Sequence, residues 1–466
     1  MTRVLVVGGS DAGISASLRA RELAPEVETT LVVADSYPNF SICGIPYHIS
    51  GKVPDWHSLA HRSQGDLEAA GLQLLLEHTA QRIDPAARIL TVTDHRGTEQ
   101  TLTYDTLIVA TGATPIRPPI TGLGTLGPAE GVHLLHTMDD TFALNDTLTN
   151  RSAERALIVG AGYIGMEMAD SLTVRGLSVT VVEALPQVLP TVDPELATLV
   201  EAELVAHGVE VVTGTTVTEI RQAGRELRVS GAAGFTRTVD LVLVVVGVFP
   251  DATLATAAGA AIGVRGALAV DPHMRTNLPD VFAAGDCVHT HHRLLPEPTY
   301  LPLGTTAHKQ GRVAGENAVG GDRTFAGSLG TQVVKIFDLA VARTGLRHHE
   351  AATAGFAPRT VPVIADDHKV YYPGAQPVQV RVTGDTRTGQ LLGVQMLGAT
   401  TTGVAKRIDT AAAALYHHMS ADEVSDLDLS YTPPLGSPWD ILQAATQAWG
   451  RQSPARLEQP IDRRRE

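Results

Sequence analysis

Short apolar runs recur along the chain, and most of them close on a glycine or an acid before a segment of helical period begins. Arg3–Val7 runs into Gly8-Gly9-Ser10-Asp11-Ala12-Gly13 and a helix-period segment through Leu23, and a second run, 30–34, closes on Asp35. The phrase returns later: Arg155–Val159, then Gly160-Ala161-Gly162-Tyr163-Ile164-Gly165 opening a helix, then 177–182 closing on Glu183. Apolar runs without alternation predict strands buried on both faces, and strand, glycine turn, helix and strand in that order predict a βαβ unit. Segments 88–94 and 98–104 alternate around His95-Arg96-Gly97, which predicts a hairpin. A further buried-type strand from Thr106 runs into Ala110-Thr111-Gly112-Ala113. Pro115, Pro118 and Pro119, with Gly122, Gly124 and Gly127 close behind, read as a connector leaving the first domain.

The run 241–248, which contains Gly247, is read as the return to that domain, followed by a strand ending at Ala284-Gly285-Asp286. Leu303 then opens a helix with Thr305, Thr306 and Ala307 in its first turn. From Gly330 the character changes: strand-like 331–337, 378–382 and 391–397 precede a helical 403–418, and no nucleotide motif appears. The expected architecture is α/β, with two Rossmann-like dinucleotide-binding domains and a C-terminal α+β domain. Residues 1–115 with 245–325 form the first, discontinuous domain, 116–244 the second, 326–450 the third, and 451–466 a charged, frayed tail.

Charge narrows the partners. Fifty acidic against 36 basic residues give a net charge of −14, unsuited to nucleic acid or an anionic membrane surface. The longest apolar run is about half a membrane span, and the apolar start is too short for a signal peptide. Two cysteines in 466 residues make no disulfide framework, so the cytoplasm is the expected compartment.

The second glycine turn satisfies all three positions of the dinucleotide fingerprint, whereas the first carries Ser10 where the second glycine belongs. Asp35 suits a ribose hydroxyl pair in the first unit. Glu183 does so in the second and would repel a 2′-phosphate; no Arg or Lys stands between 184 and 190 to hold one, so NADH is favoured over NADPH. Two dinucleotide sites imply FAD plus a nicotinamide. Asp286, at a strand end, is placed for a flavin ribityl hydroxyl, and the helix from Leu303 for the flavin pyrimidine.

Cys43 stands in Asn39-Phe40-Ser41-Ile42-Cys43-Gly44-Ile45-Pro46, just past the second strand, where such a sheet presents its ligand. A helix starting near it would favour thiolate over thiol, so Cys43 is the redox candidate. Cys287 is read as structural. His289, His291 and His292 read as a polar loop rather than a metal site, and 418–423 as a capped helix end rather than an acid–base pair.

Taken together, Gly8 to Gly13, Cys43-Gly44-Ile45-Pro46-Tyr47, Ala110-Thr111-Gly112, Gly160 to Glu167, Gly285-Asp286 and Gln310-Gly311-Arg312 resemble the FAD-dependent pyridine nucleotide–disulfide oxidoreductases. The single-cysteine branch fits best, that of coenzyme A-disulfide reductases, NADH oxidases and NADH peroxidases, because 34–51 holds only Cys43. The resemblance implies a cytoplasmic homodimer whose third domain completes the partner's active site. It implies that Cys43 lies beside the flavin, that Tyr431 reaches it across the interface, and that Tyr371 or Tyr372 is a second tyrosine of the site. Arg19 and Arg21 are offered to substrate phosphates, and Ser41 flanks the cysteine where an asparagine is usual. Asp11 replaces the histidine that peroxidases and oxidases carry. The expected reaction is NAD(P)H-dependent reduction of a low-molecular-weight disulfide, coenzyme A disulfide-like, or of a per- or polysulfide, through Cys43. The alternatives are an NADH oxidase or peroxidase cycling Cys43 through sulfenic acid, and a flavin-only reductase for a protein partner.

Overall fold

The computed structural model describes residues 2–451; the charged tail lies, but for Arg451, outside the described residues. Two compact units emerge. The first comprises the chain up to Ala184, with Gly214–His291 and Glu297–Ser328; the second comprises Leu185–Thr213, His292–Pro296 and the chain from Leu329.

In the first unit a parallel sheet runs in the order Val281–Ala283, Thr106–Val109, Arg3–Val7, Glu28–Val32, Leu72–Leu75. Its central strands are buried along their length, as their unbroken apolar runs require. A second parallel sheet carries Ser178–Val182, Arg155–Val159, Leu241–Val244 and Val132–His133 side by side. Three helices carry the argument: α1 (Asp11–Leu23), α2 (Tyr163–Val174) and α3 (Gly304–Ala318). The expected hairpin is present as Ile89–Asp94 and Glu99–Thr103, extended by His78–Asp84.

The run 241–248 is not a single strand in the first sheet. Leu241–Val244 pairs with Arg155–Val159 in the second sheet, and Val248–Pro250, past Gly247, pairs antiparallel with Ala113–Pro115. Gly247 has φ +106, and this left-handed turn ends one pairing and starts the other.

α1 and α3 cross at backbone contact. A Cβ on Gly311 would lie 2.3 Å from the Ala12 carbonyl oxygen, and one on Gly315 would lie 2.1 Å from that of Ala16. Ala12, Ala16 and Ala20 recur four apart on the facing side of α1 and are buried, so small residues on both helices set the approach.

The second unit is built on an antiparallel sheet in the order Gln332–Ile336, Leu339–Gly345, Leu391–Ala399, Pro377–Asp385, Pro358–Asp366. Helices Val404–Tyr416 and Ile441–Arg451 cover it with Ile408, Leu415, Leu442 and Trp449, all buried. Among the described residues no helix is long and apolar enough to cross a membrane.

Gly315→Val should destabilise the fold by about 1–3 kcal/mol or more, because overpacking here meets backbone rather than a movable side chain; thermal unfolding reads it. In the second unit Glu350 is bonded to Arg343 at 2.7 Å and to Arg347 at 2.9 Å. Although burial opposes it, the two guanidinium groups hold the Glu350 carboxyl down at about 2. A carboxyl depressed in the folded state stabilises it above its unfolded pKa and ceases to do so as pH falls. Glu350→Gln should therefore remove about 2–3 kcal/mol at neutral pH. Its deficit against wild type should shrink as pH falls from about 4.5 toward 2, as denaturant titrations at each pH would show.

Candidate active site

Three strand ends of the first sheet bring the expected cofactor residues together. Gly8 to Gly13 follow Arg3–Val7, Ala110-Thr111-Gly112 follow Thr106–Val109, and Gly285-Asp286 follow Val281–Ala283; these strands are neighbours. Ligands of open α/β sheets bind at such strand ends. Gly8 has φ +116 and leaves no room for a side chain, since its Cβ would lie 2.0 Å from the Ala110 carbonyl oxygen. Gly285 presses on Ala12 in the same way, and its N–H donates to Gln310 Oε1 at 3.0 Å. The helices that begin here, α1 behind Ser10 and α3 behind Leu303 with Thr305, Thr306 and Ala307 in its first turn, have no side-chain cap. Uncapped N–H groups on a cradle without side chains fit the pyrophosphate of a dinucleotide. Burial, with the Asp11 carboxylate nearby, pushes the Asp286 carboxyl up to about 7, so it is fitted to exchange hydrogen bonds with hydroxyls. Asp35 lies just past the second strand, accepts the Tyr37 N–H at 2.8 Å, and is raised above the usual carboxylate range by burial.

The second turn repeats the cradle. A Cβ on Gly165 would lie 2.1 Å from the Gly160 carbonyl oxygen, whereas one on Gly162 would meet no protein atom within 4 Å. The middle glycine therefore opens outward, on the side where a ligand's phosphates approach. Tyr163 and Ile164 begin α2, which lacks a side-chain cap. Glu183 accepts the Ala161 N–H at 2.7 Å, which fixes its carboxylate at the turn.

Cys43 is exposed, whereas Cys287 is buried, lies 3.4 Å from the Ala284 carbonyl oxygen, and is pushed up to about 11 by its burial. The Cys43 segment is tied to the first glycine turn: the Asn39 N–H donates to the Gly9 carbonyl at 2.7 Å, and the Ser41 N–H to that of Leu59 at 2.8 Å. Tyr37, Phe40, Trp56 and Phe142 pack edge to face or tilted beneath it, with centroids 5.1–6.0 Å apart. These rings come from three separate stretches, so no local pattern marks the cluster.

Contrary to expectation, Cys43 is not at the start of a thiolate-favouring helix. Cys43 sits in a 3-10 turn, Ile42–Gly44, followed by the five-residue helix Ile45–Ile49, too short to sum a useful dipole. Although the residue is exposed, the protein packed around its sulfur strips water from a thiolate and holds the thiol above its ordinary range, and the carboxylates of Glu167, Asp11 and Asp286 add to this. Glu167, on α2, also receives the Tyr47 hydroxyl at 3.5 Å. Burial and that carboxylate push Tyr47 up to about 12.

In the second unit Tyr371 and Tyr431 are both exposed, and the neighbouring Tyr431 hydroxyl holds the Tyr371 phenol above its ordinary range. Tyr372 packs instead edge-on to His368, with centroids 5.8 Å apart. The structure thus pairs Tyr371, rather than Tyr372, with Tyr431. Arg19 is engaged with Glu316 at 2.6 Å and Glu22 at 2.8 Å, and Arg21 with the carbonyls of Pro25 and Val27. Ser420 and Glu423 form a capping box that starts Ala421–Ser425.

This geometry has counterparts. Residues 2–311 match the family described as pyridine nucleotide-disulphide oxidoreductase, and residues 331–440 match its dimerisation domain. The chain belongs to that family. As a member it is an FAD-dependent NAD(P)H oxidoreductase with the family's dimerisation domain. It is 32% identical to the NAD(P)H sulfur oxidoreductase (CoA-dependent) of Pyrococcus furiosus, over 94% of this chain and 97% of that one. It is 31% identical to the NADH oxidase of Methanocaldococcus jannaschii, over 96% and 98%. Among solved structures, the NAD-dependent persulfide reductase of A. fulgidus superposes with a TM-score of 0.92 at 34% identity, covering 97% of this chain and 83% of that one.

Glu167→Gln should let the thiolate of this oxidoreductase persist to lower pH, because it removes the acid that acts most strongly on Cys43. Iodoacetamide should then modify Cys43 roughly two- to tenfold faster at pH 7. Cys287 is buried and serves as the unreactive control.

Proposed function

We propose that this oxidoreductase reduces a low-molecular-weight disulfide, persulfide or polysulfide through Cys43 as a single redox cysteine, acting in the cytoplasm as a homodimer. One observation carries the reading: an exposed free thiol is tethered to the first glycine turn, while the second cysteine is buried and cannot serve as its partner. In this reading 1–115 with 245–325 hold FAD, 116–244 hold the pyridine nucleotide, and 326–450 pair the subunits. When bound, FAD supplies the two-electron link between NAD(P)H and sulfur.

The chain's own residues do the rest. Gly8, Ser10, Asp11, Ala12, Gly13, Asp35, Ala110, Thr111, Gly112, Gly285, Asp286, Thr305, Thr306 and Ala307 cradle FAD. Gly160, Gly162, Tyr163, Ile164, Gly165, Glu183 and Gly247 take the nucleotide, and Glu183 favours an unphosphorylated ribose. Cys43 as thiolate attacks one sulfur of the substrate; a Cys43–sulfur bond forms, the substrate's sulfur–sulfur bond breaks, and a thiolate leaves. In this reading Tyr431, beside Tyr371, gives that thiolate its proton in a partner subunit's site. Two electrons from NAD(P)H then cleave the mixed disulfide and restore Cys43. With Arg19 and Arg21 engaged inside the fold, small sulfane sulfur is favoured over a phosphate-rich disulfide. The two relatives named for sulfur or persulfide reduction support the same reading.

Cys43→Ser should keep its flavin spectrum and still pass electrons from NADH to a one-electron dye. It should lose reduction of polysulfide and of coenzyme A disulfide by about 10³-fold or more, as expected when a nucleophile is removed. Undiminished sulfur reduction would overturn the assignment, and NADH consumption that needs only oxygen and Cys43 would replace it with the oxidase reading.

A further inference from the structure

Asp11 has a partner that its place in the sequence does not reveal. The crossing of α1 and α3 brings His308, in the second turn of α3, against the start of α1. His308 Nε2 lies 3.3 Å from Asp11 Oδ1, and Nδ1 lies 2.7 Å from Ser15 Oγ. Both ring nitrogens are thus engaged by α1, one by a carboxylate and one by a hydroxyl, which fixes the plane of the ring. Room for the pair comes from Gly304, where a Cβ would lie 2.7 Å from Asp11 Oδ2.

The charges around the pair are few. His61 presents its ring edge-on to His308 at 6.5 Å, and Lys309 turns away to donate to the Thr305 carbonyl at 3.0 Å. Asp286 and Glu167 are the other acids acting on Cys43, and the Tyr47 hydroxyl donates to Glu167 at 3.5 Å. Asp11 acts on both Cys43 and Asp286 and disfavours ionisation of each. A histidine held against that carboxylate controls how much of its charge is felt.

We propose that His308 is a positioning residue for the redox cysteine: clamped by Ser15 and paired with Asp11, it sets how much of that carboxylate's charge reaches Cys43. This rests on the reading of Cys43 as the redox group. Held against Asp11, the His308 ring offsets part of that carboxylate's charge and eases formation of the thiolate.

The test uses the FAD-loaded dimer and reads the Cys43 thiol directly, as the pH dependence of its alkylation by iodoacetamide, scored by mass at Cys43. Variants are Asp11→Asn, His308→Asn, His308→Lys and the double variant Asp11→Asn with His308→Asn. His308→Asn should raise the apparent thiol pKa and slow alkylation at pH 7 by roughly three- to tenfold, the size of a partly exposed charge effect. Asp11→Asn should do the reverse, and His308→Lys, which keeps a cation at the site, should restore wild-type behaviour. In the Asp11→Asn background, His308→Asn should change nothing further. An equal slowing in both backgrounds, or no slowing in either, would overturn the proposal. Alkylation does not require turnover, so a wild-type enzyme inactive on every sulfur substrate but showing this pattern would defeat the functional reading and leave the His308 role standing.

Discussion

The contact on which the active-site half of this fold depends is the crossing of α1 and α3 at backbone distance. With Gly311 and Gly315 seated on the carbonyls of Ala12 and Ala16, the helices have no side chains between them to absorb a change. Their N-termini consequently emerge side by side above adjacent strands, at the level of Gly285 and Asp286. Everything placed at that spot, two uncapped helix ends, the buried carboxyl and the Asp11–His308 pair, inherits its position from the crossing. Interiors are too densely packed for such a contact to loosen gradually, so a larger residue at Gly315 costs stability and displaces the cradle together.

What was legible in the chain was local. The two glycine turns and their acids were readable because steric need is written in adjacent residues: Gly8, Gly13, Gly160 and Gly165 each face a carbonyl that no side chain could face. The split of 241–248 was not readable, because apolar content alone does not say which neighbour a strand pairs with, and the break falls at Gly247. Strands Leu339–Gly345 and Pro358–Asp366 are not marked by local pattern for a related reason: in the second unit, sheet order decides which residues are buried. The pairing of Tyr371 with Tyr431 joins stretches sixty residues apart, and adjacency in sequence offered Tyr372 equally.

The chemistry of Cys43 was the least legible, and the reason is one of magnitude. A short helix end contributes about 0.3–1 kcal/mol toward a thiolate. A carboxylate several ångströms away acts against it with roughly 1–2 kcal/mol at the effective dielectric of a protein surface. Three such acids, from the start of α1, from α2 and from the end of Val281–Ala283, outweigh one five-residue helix. No window of sequence around Cys43 contains any of the three. The thiol is therefore poised rather than permanently ionised, and its reactivity belongs to the groups that can offset those acids. His308 is in contact with one acid of the set, Asp11, by the same helix crossing that builds the cradle. The cofactor platform and the electrostatic setting of the cysteine are in this sense one construction, since neither can be moved without the other.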